Sequence, residues 1–299
     1  MTHVFKKDSY EDILSNFDVA IKWLEECGAS IEPTRVNKYR KTLNLLIEAY
    51  KKGTTQEMLN RGEFPKIVNS FFEIKEITDI WVGLKEMDNE ELETRLRKFV
   101  KGPESMVDEL LRTSSNYPRN IGFELYIASR FAISDFDINL SSDGDISALY
   151  KNNSLFIECK RPNQLNKLEK NIKRAFNQLE ERYKTINTES AGIIALSINK
   201  LINPKQKLLV EDSLDNLSHH LGKLVENFIK EYRYFWQGKN KERTIGVLVS
   251  LQAPCIIKNQ NLLTIGREMG MNNITIPGTE AHSLLMDIAE RLDKGTHLL

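Results

Sequence analysis

The chain has 299 residues, and its 42 Lys or Arg residues balance 42 Asp or Glu residues, so the formal net charge is zero. A chain of this length can bury one large core or two ordinary ones. A protein that coats nucleic acid without specificity is usually basic, so the charge balance argues against that role. No apolar run approaches the roughly 18 residues that span a bilayer, and the first residues lack the apolar segment of a signal peptide. We therefore expect a cytoplasmic protein with no membrane partner.

The cysteines and histidines do not indicate a disulfide framework or a zinc site. Cys27, Cys159 and Cys255 are far apart and form no CxxC pair, so we interpret them as small apolar residues. His219 and His220 are adjacent, and adjacent residues on a helix do not share a face. Since no third ligand is evident, we interpret this pair as structural or exposed.

Residues 1 to about 113 are predicted to be helical, because apolar side chains recur there at 3.6-residue spacing. The stretches with this spacing are 13–24, 43–50, 67–81 and 92–100. The polar, Pro-containing stretch 114–118 follows and is the candidate boundary. We therefore predict an all-helical N-terminal domain over residues 1–115 and a second domain over residues 116–299.

The pattern changes in the second domain, where strand-like alternation and short apolar runs appear. The predicted elements are a helix at 120–131, strands at 136–140, 146–150 and 155–160, a helix at 168–186 and a strand at 191–198. The loop at 151–154 makes the second and third strands a hairpin. This order predicts an α/β fold with an αβββαβ core and a mixed central sheet.

The remainder is predicted as additions to this core. Residues 205 to about 236 read as mostly helical, and residues 244–251 as a strand. Two short strands at 262–265 and 274–276 and a helix at 279–292, with Thr279 as its N-cap, complete the prediction.

The string Glu158-Cys159-Lys160 is the first candidate for a site. Side chains alternate between the two faces of a strand, so Glu158 and Lys160 project together, away from the face that Cys159 shares with Leu155 and Ile157. A carboxylate there can bind a hard cation while the neighbouring ammonium faces a phosphate or a nucleophilic water. The alternative is a salt-bridged pair on the solvent face of an edge strand.

Asp145 lies at the start of the preceding hairpin strand, where it would meet Glu158 at the end of its partner. Two carboxylates held close repel each other unless a cation neutralises them. Mg²⁺ is bound by one or two carboxylates together with water and substrate phosphate. Asp143 is the competing ligand, and its alternative role is an Asx turn.

Glu124 is the third carboxylate, and it lies on or beside the buried face of its helix, because Ile121 and Ile127 flank it at three-residue spacing. A carboxylate in that position is costly unless it is paired or bound to a metal. The alternative to a functional role is a salt bridge, for example to Arg119 or Arg130.

A basic helix follows the candidate strand and carries Gln178. This glutamine lies in line with Arg174, and the polar stripe could face the site or a nucleic-acid backbone. The alternatives are a surface glutamine and a solvated helix face. The candidate nucleic-acid contacts are Arg161, Lys170, Lys173 and Arg174.

The helix with Glu124, the strand start with Asp145, the Glu158-x-Lys160 strand and the helix with Gln178 together resemble the PD-(D/E)xK nuclease superfamily, which has the restriction-endonuclease-like fold. The resemblance covers residues 119–199, about a quarter of the chain. The segment Gly122–Phe131 looks like the first core helix of that family. The proline of the family name is absent before Asp145, as it is in many members.

The resemblance implies metal-dependent cleavage of a phosphodiester. Asp145, Glu158 and the carbonyl of Cys159 would hold one or two Mg²⁺ ions, and Mn²⁺ would be able to replace them. Glu124 would bind a second ion or orient its water. Lys160 would position or help deprotonate the attacking water, and Gln178 would anchor the strand or touch the nucleic-acid backbone.

The leading hypothesis is a Mg²⁺-dependent DNA endonuclease, the effector of a prokaryotic phage-defence or restriction system. The helical N-terminal domain would serve a partner, a sensor or dimerisation, so we expect a homodimer or a subunit of a larger complex. Two alternatives stay open. One is a non-catalytic subunit that binds nucleic acid or a partner through the same fold, and the other is a nuclease that cleaves RNA.

Overall fold

The computed structural model describes residues 9–110, 115–141, 144–151, 153–185, 189–238, 243–260 and 262–296. Within these ranges the chain forms ten α-helices and seven β-strands, which confirms the predicted α/β class. None of the helices in the described ranges has both the length and the apolar character that crossing a membrane requires.

The N-terminal part is helical, as predicted. Its helices are α1 (Tyr10–Glu26), α2 (Arg35–Lys52), α3 (Thr55–Asn60), α4 (Phe64–Leu84) and α5 (Glu90–Phe99). A capping box between Ser9 and Asp12 starts α1. Gly53, with a φ of 69°, ends α2 in the left-handed conformation that glycine adopts without strain. The local sequence therefore accounts for the start of α1 and the end of α2.

The segment that follows has the predicted element order αβββαβ. It comprises α6 (Tyr117–Ile133), β1 (Asp137–Ser141), β2 (Gly144–Tyr150), β3 (Asn153–Lys160), α7 (Leu168–Lys184) and β4 (Ser190–Ser197). β1, β2 and β3 pair antiparallel, whereas β3 pairs parallel with β4, so the central sheet is mixed. β2 and β3 form the predicted hairpin, with Tyr150 paired to Asn153, and β3 begins two residues before its predicted start at 155.

The C-terminal part differs from the prediction in four places. Its elements are α8 (Asn199–Ile202), β5 (Leu209–Glu211), α9 (Leu214–Tyr232), β6 (Thr244–Ile257), β7 (Leu262–Asn273) and α10 (Glu280–Thr296). The helical prediction from residue 205 is wrong at β5, which exists because it pairs with the distant end of β6. β6 runs six residues beyond its predicted end, and β7 runs eight beyond its predicted end because it pairs with β6 along its whole length. Residues 274–276 are not a strand. The hydroxyl of Thr279 accepts a hydrogen bond from the His282 N–H at 3.2 Å, which confirms the predicted N-cap.

The sheet has the strand order β1-β2-β3-β4-β6-β5, with β7 pairing antiparallel along the other edge of β6. β3 and β4 lie inside the sheet and are covered on both faces. Leu155 and Ile157 belong to the apolar core on the face that α6 covers, and Phe156 packs against α7 on the other face. This alternation places Glu158 on the α7 side of the sheet.

The N-terminal helices and one face of the sheet form a single continuous apolar core. α4 crosses α6 so closely that a Cβ added to Gly83 would lie 2.6 Å from the Cβ of Ser129. α5 packs against both α6 and β1. Side chains of the helical part therefore reach the end of the sheet that carries the candidate site, and the division into domains at residue 115 stays a prediction.

Candidate active site

The β2–β3 hairpin brings Asp145 beside the Glu158–Lys160 string. Ile146 pairs with Ile157, and Asp145 and Glu158 are the next residues beyond that pair. The main-chain N–H of Cys159 donates a hydrogen bond of 2.6 Å to Asp145 Oδ2. The register of the hairpin thus fixes both carboxylates at the end of two neighbouring strands.

Three oxygen atoms converge on the ammonium of Lys160. Its Nζ lies 2.7 Å from Glu158 Oε1, 3.0 Å from the main-chain oxygen of Cys159 and 3.8 Å from Asp145 Oδ2. The Lys160 side chain is only 11% exposed, so this cation is held largely out of water. The site is therefore a small group of oxygens built around one positive charge.

Glu158 is completely buried and has a second cationic neighbour. Arg182 of α7 places Nη2 at 2.9 Å from Glu158 Oε2. Glu158 Oε2 has no hydrogen-bond partner within the described residues. Its contact with Arg182 is therefore an ion pair without hydrogen-bond geometry. The Arg182 guanidinium also lies over the ring of Phe156, 5.9 Å from its centroid, which helps to hold it on the sheet.

Glu124 reaches the same region from α6, and Arg95 of α5 is its partner. Arg95 Nη1 lies 3.0 Å from Glu124 Oε2, so neither Arg119 nor Arg130 provides the salt bridge considered as the alternative. Arg119 pairs with Glu73 and Glu109 instead. Glu124 is thus both paired and close to the Asp145 strand.

Burial and mutual repulsion perturb two of the carboxyl groups. Burial, reinforced by the charge of Asp145, raises the pKa of Glu158 to about 7 against an opposing effect of Lys160 and Arg182. The same two causes raise the pKa of Glu124 to about 7, opposed by Arg95 and Lys160. Carboxyl groups with displaced pKa values are typical of functional sites, and they also occur in structural ion-pair networks.

The donor set suits a hard divalent cation. In the described part of the chain, no three His, Cys, Asp or Glu side chains form a group that could hold a metal ion. Mg²⁺, however, is commonly bound through one or two carboxylates, with water and substrate oxygens completing its shell. The residues that would hold such an ion here are Asp145, Glu158 and Cys159, the last through its carbonyl.

Gln178 is half-buried on α7, one turn before Arg182. Its Oε1 is buried and has no hydrogen-bond partner in the described ranges. An unpaired buried amide oxygen is unusual in a folded protein. Gln178 is therefore partly buried between α7 and its neighbours, and α7 itself packs over the strand with Glu158.

The predicted nucleic-acid contacts divide into two groups. Lys170, Lys173 and Arg174 are exposed on α7, and Lys173 pairs with Glu169 at 2.7 Å. Arg161 is different, because its side chain is only 8% exposed and its two terminal nitrogens lie 2.8 and 3.0 Å from the Glu109 carboxylate. Arg161 is thus part of a buried ion-pair cluster rather than of the exposed basic face.

The other predicted features have simple structural roles or lie outside the described residues. Cys159 and Cys255 are buried, Cys27 is half-buried, and all three thiols are free. His220 Nδ1 lies 2.6 Å from Glu211 Oε1, and this pair is partly exposed. Asp143 lies outside the described residues, so it stays an alternative to Asp145.

Sequence reasoning missed Arg95 and Arg182 as members of the site. Arg182 had a usable signal, because it follows Gln178 by one helical turn on the same stripe of α7. Arg95 had none, since it lies 29 residues before Glu124 and on a helix assigned to the other domain. Its place in the site follows only from how α5 packs on α6 and β1.

Comparison of the chain with protein-family models, curated proteins and solved structures gives no match. The site is therefore described by its own geometry, as a buried acidic cluster whose carboxylates pair with Arg95, Lys160 and Arg182.

Proposed function

We propose that the chain is a Mg²⁺-dependent phosphodiesterase that cleaves DNA as an endonuclease, with a core of the PD-(D/E)xK, restriction-endonuclease-like type. The observation that carries this proposal is the convergence of Glu158 Oε1, the Cys159 carbonyl and Asp145 Oδ2 on Lys160 Nζ. These are the three oxygen ligands and the lysine that such a site requires. The αβββαβ order and the mixed sheet support the same proposal.

The residues divide the chemistry between them. When bound, Mg²⁺ or Mn²⁺ lowers the pKa of water and stabilises negative charge on the phosphate. Asp145 and Glu158 supply the carboxylates that hold the ion, and the hydrogen bond from Cys159 orients Asp145 for this role. Lys160 holds the attacking water and stabilises the charge that develops on the phosphate oxygens. Gln178, whose buried amide oxygen has no hydrogen-bond partner in the described residues, would anchor the strand or touch the nucleic-acid backbone.

The exposed cations of α7 supply the substrate contacts. Lys170, Lys173 and Arg174 lie on the helix that covers β3, so a phosphate backbone along this face would run beside the site. We favour DNA as the substrate. An RNA substrate would use the same electrostatic contacts, so the two substrates are compared directly in the assay below.

The helical part supplies the partner or dimerisation surface in this proposal. A nuclease with zero net charge has little general attraction for nucleic acid, which favours delivery or control by a partner. A prokaryotic restriction or phage-defence effector in the cytoplasm fits this combination. Such a protein would act as a homodimer or as one subunit of a complex.

The pairing of every site carboxylate with a cation favours a second candidate. Arg95, Lys160 and Arg182 neutralise the cluster without a metal, as they would in a subunit that only binds DNA or a partner. In that case the oxygens around Lys160 have no catalytic role. The two candidates therefore differ in whether a divalent ion binds at the site and alters the activity or stability of the protein.

The test is cleavage of supercoiled plasmid, single-stranded DNA and RNA in Mg²⁺, Mn²⁺ or EDTA. Wild type is compared with Lys160→Ala and with Lys184→Ala, which removes an exposed lysine at the end of α7. The endonuclease proposal expects metal-dependent cutting of DNA that is lost in Lys160→Ala and kept in Lys184→Ala. Cutting that survives Lys160→Ala, or binding of DNA without cutting in either metal, contradicts it.

A further inference from the structure

We propose that Arg95 supplies, at Glu124, the positive charge that a second divalent cation would otherwise supply, so that the site takes a single divalent ion. The inference rests on the proposed function and specifies how many divalent ions the site binds. It assigns a positioning residue from the N-terminal helices to a site otherwise built from the αβββαβ segment. It also decides between the two roles open to Glu124, in favour of orienting water rather than binding an ion.

The Arg95 guanidinium lies between three elements. Its Nη1 is 3.0 Å from Glu124 Oε2 and donates a 2.7 Å hydrogen bond to the main-chain oxygen of Asp145. Its Nη2 donates a 2.9 Å hydrogen bond to the main-chain oxygen of Ser141, and its Nε lies 3.1 Å from Glu91 Oε1. One side chain thus links α5, α6, the end of β1 and the start of β2.

This cation is fixed in place. The Arg95 side chain is only 7% exposed, and an arginine stays charged at all pH values at which proteins fold. α5 is anchored on either side of it, because Leu92 and Leu96 are buried and Asn89 donates a 3.3 Å hydrogen bond to the Leu140 oxygen. Moving Arg95 out would leave the Ser141 and Asp145 carbonyls without this donor, which is costly for buried groups.

The charge distribution then separates the site into two halves. On one side, Glu124 and the Asp145 carbonyl already face a guanidinium, so a divalent ion placed there would meet a like charge at short range. On the other side, Asp145 Oδ2, Glu158 Oε1 and the Cys159 carbonyl surround Lys160, whose ammonium is on a flexible stem and can move, while the Arg182 guanidinium faces the other carboxylate oxygen, Glu158 Oε2. Only this second half suits an ion.

The test is the number of Mn²⁺ ions bound per chain, counted from the spectrum of free Mn²⁺ by electron paramagnetic resonance. The full chain is titrated alone and with a short DNA duplex carrying phosphorothioate linkages, after subtraction of the ions that the duplex binds alone. The variants are Glu158→Gln, Glu124→Gln, Arg95→Gln and the double variant Arg95→Gln with Glu124→Gln.

We expect one ion in wild type, lost in Glu158→Gln and retained in Glu124→Gln with an affinity within about fivefold, since a fixed cation already balances Glu124. Arg95→Gln should gain a second ion, and the double variant should lose that ion again. Two ions in wild type, loss of the single ion in Glu124→Gln, or a folded Arg95→Gln that still binds one ion would each overturn the inference. No ion in wild type under either condition would instead sink the proposed function, and the inference with it.

If Arg95→Gln does not fold, the numbers of Mn²⁺ ions bound by wild type and by Glu124→Gln still test the inference. A single ion that Glu124→Gln keeps supports the assignment, and a second ion in wild type refutes it. Circular dichroism of each variant shows, before the titration, whether that variant is folded.

Discussion

The Cys159 N–H donates a hydrogen bond of 2.6 Å to Asp145 Oδ2, so the strand that carries Glu158 and Lys160 also orients the neighbouring carboxylate. The bond lies one step beyond the last backbone pair of the hairpin. The pairing register of β2 and β3 therefore determines the geometry of the site. A shift of one residue would turn every one of these side chains to the other face.

Two substitutions of Asp145 separate its role as acceptor of the Cys159 hydrogen bond from its negative charge. Asp145→Asn keeps an oxygen that can accept from Cys159, whereas Asp145→Ala removes it. We expect both variants to lose the rise in melting temperature that Mn²⁺ gives the wild type. Only Asp145→Ala should also lose about 1 kcal/mol of unfolding free energy in urea, since it leaves a donor unpaired. An Asp145→Asn protein that Mn²⁺ still stabilises would show that Asp145 is not a ligand.

The buried Glu158 carboxyl should make stability depend on pH in the absence of metal. Its pKa is raised from an ordinary value of 4.5 to about 7. The folded state then holds its proton more tightly than the unfolded state, so this contribution is fully present below pH 4.5 and is lost as the pH rises through about 7. Glu158→Gln replaces the carboxyl with an amide that does not titrate, so it removes this pH-dependent contribution to stability.

The measurement is urea unfolding in EDTA at about pH 5 and about pH 8, for wild type and Glu158→Gln. The stability of wild type relative to the variant should fall between these pH values by on the order of 2 kcal/mol. Parallel pH profiles for the two proteins would mean that Glu158 does not titrate in this range.

Binding of a divalent ion should show the opposite dependence on pH. A carboxyl must lose its proton to bind a metal, and the pKa of Glu158 is about 7. The Mn²⁺ concentration that half-maximally raises the melting temperature should therefore fall as the pH rises from about 6 to about 8. A half-maximal concentration that does not change over this range would contradict the assignment of Glu158 as a ligand.

Arg182 should matter for stability although it was not predicted from the sequence. Its side chain is 13% exposed and its Nη2 lies 2.9 Å from the buried Glu158 carboxylate. Arg182→Met keeps much of the apolar stem and removes the charge, which should cost about 1–3 kcal/mol of unfolding free energy. Arg174→Met, on an exposed part of the same helix, is the matched control and should change stability by less than about 0.5 kcal/mol. Equal effects of the two substitutions would show that the Glu158 contact contributes nothing.

The close crossing of α4 and α6 gives a test of the shared core. A Cβ at Gly83 would lie 2.6 Å from both the Cβ and the main-chain oxygen of Ser129, whereas a Cβ at Gly222 would meet nothing within 4 Å. Gly83→Ala should therefore lose about 1–3 kcal/mol through overpacking. Gly222→Ala should gain about 0.5–1 kcal/mol, because alanine is the better helix former. Thermal and urea unfolding of both variants measure the difference, and a neutral Gly83→Ala would argue against this packing.

The parts of the fold that the sequence predicts are those with a local, periodic signal. The alternation around Glu158 and the turn after Tyr150 predict the hairpin, and the hairpin places Asp145 beside Glu158. β5 was not predictable, since only three residues form it and their pairing partners lie more than 40 positions away in β6.

Only part of the candidate site could be predicted from the sequence, because only part of it has a local, periodic signal. Its carboxylates lie on elements whose order is readable, whereas the cations that compensate them come from other elements. Arg95 and Asp145 are 50 positions apart, and no pattern in α5 shows that its one buried arginine faces the β1–β2 strands. The packing of the helical segment on the sheet, which brings Arg95 there, becomes visible only in three dimensions.

The measurement that tests the central claim most directly is the initial rate of plasmid cleavage in one Mg²⁺ buffer by wild type, Glu158→Gln and Glu181→Gln. Glu181 is an exposed glutamate of α7 and serves as the matched control. The account predicts cleavage by wild type and Glu181→Gln at similar rates, and a loss of at least about 100-fold in Glu158→Gln. Equal rates for Glu158→Gln and wild type would contradict it.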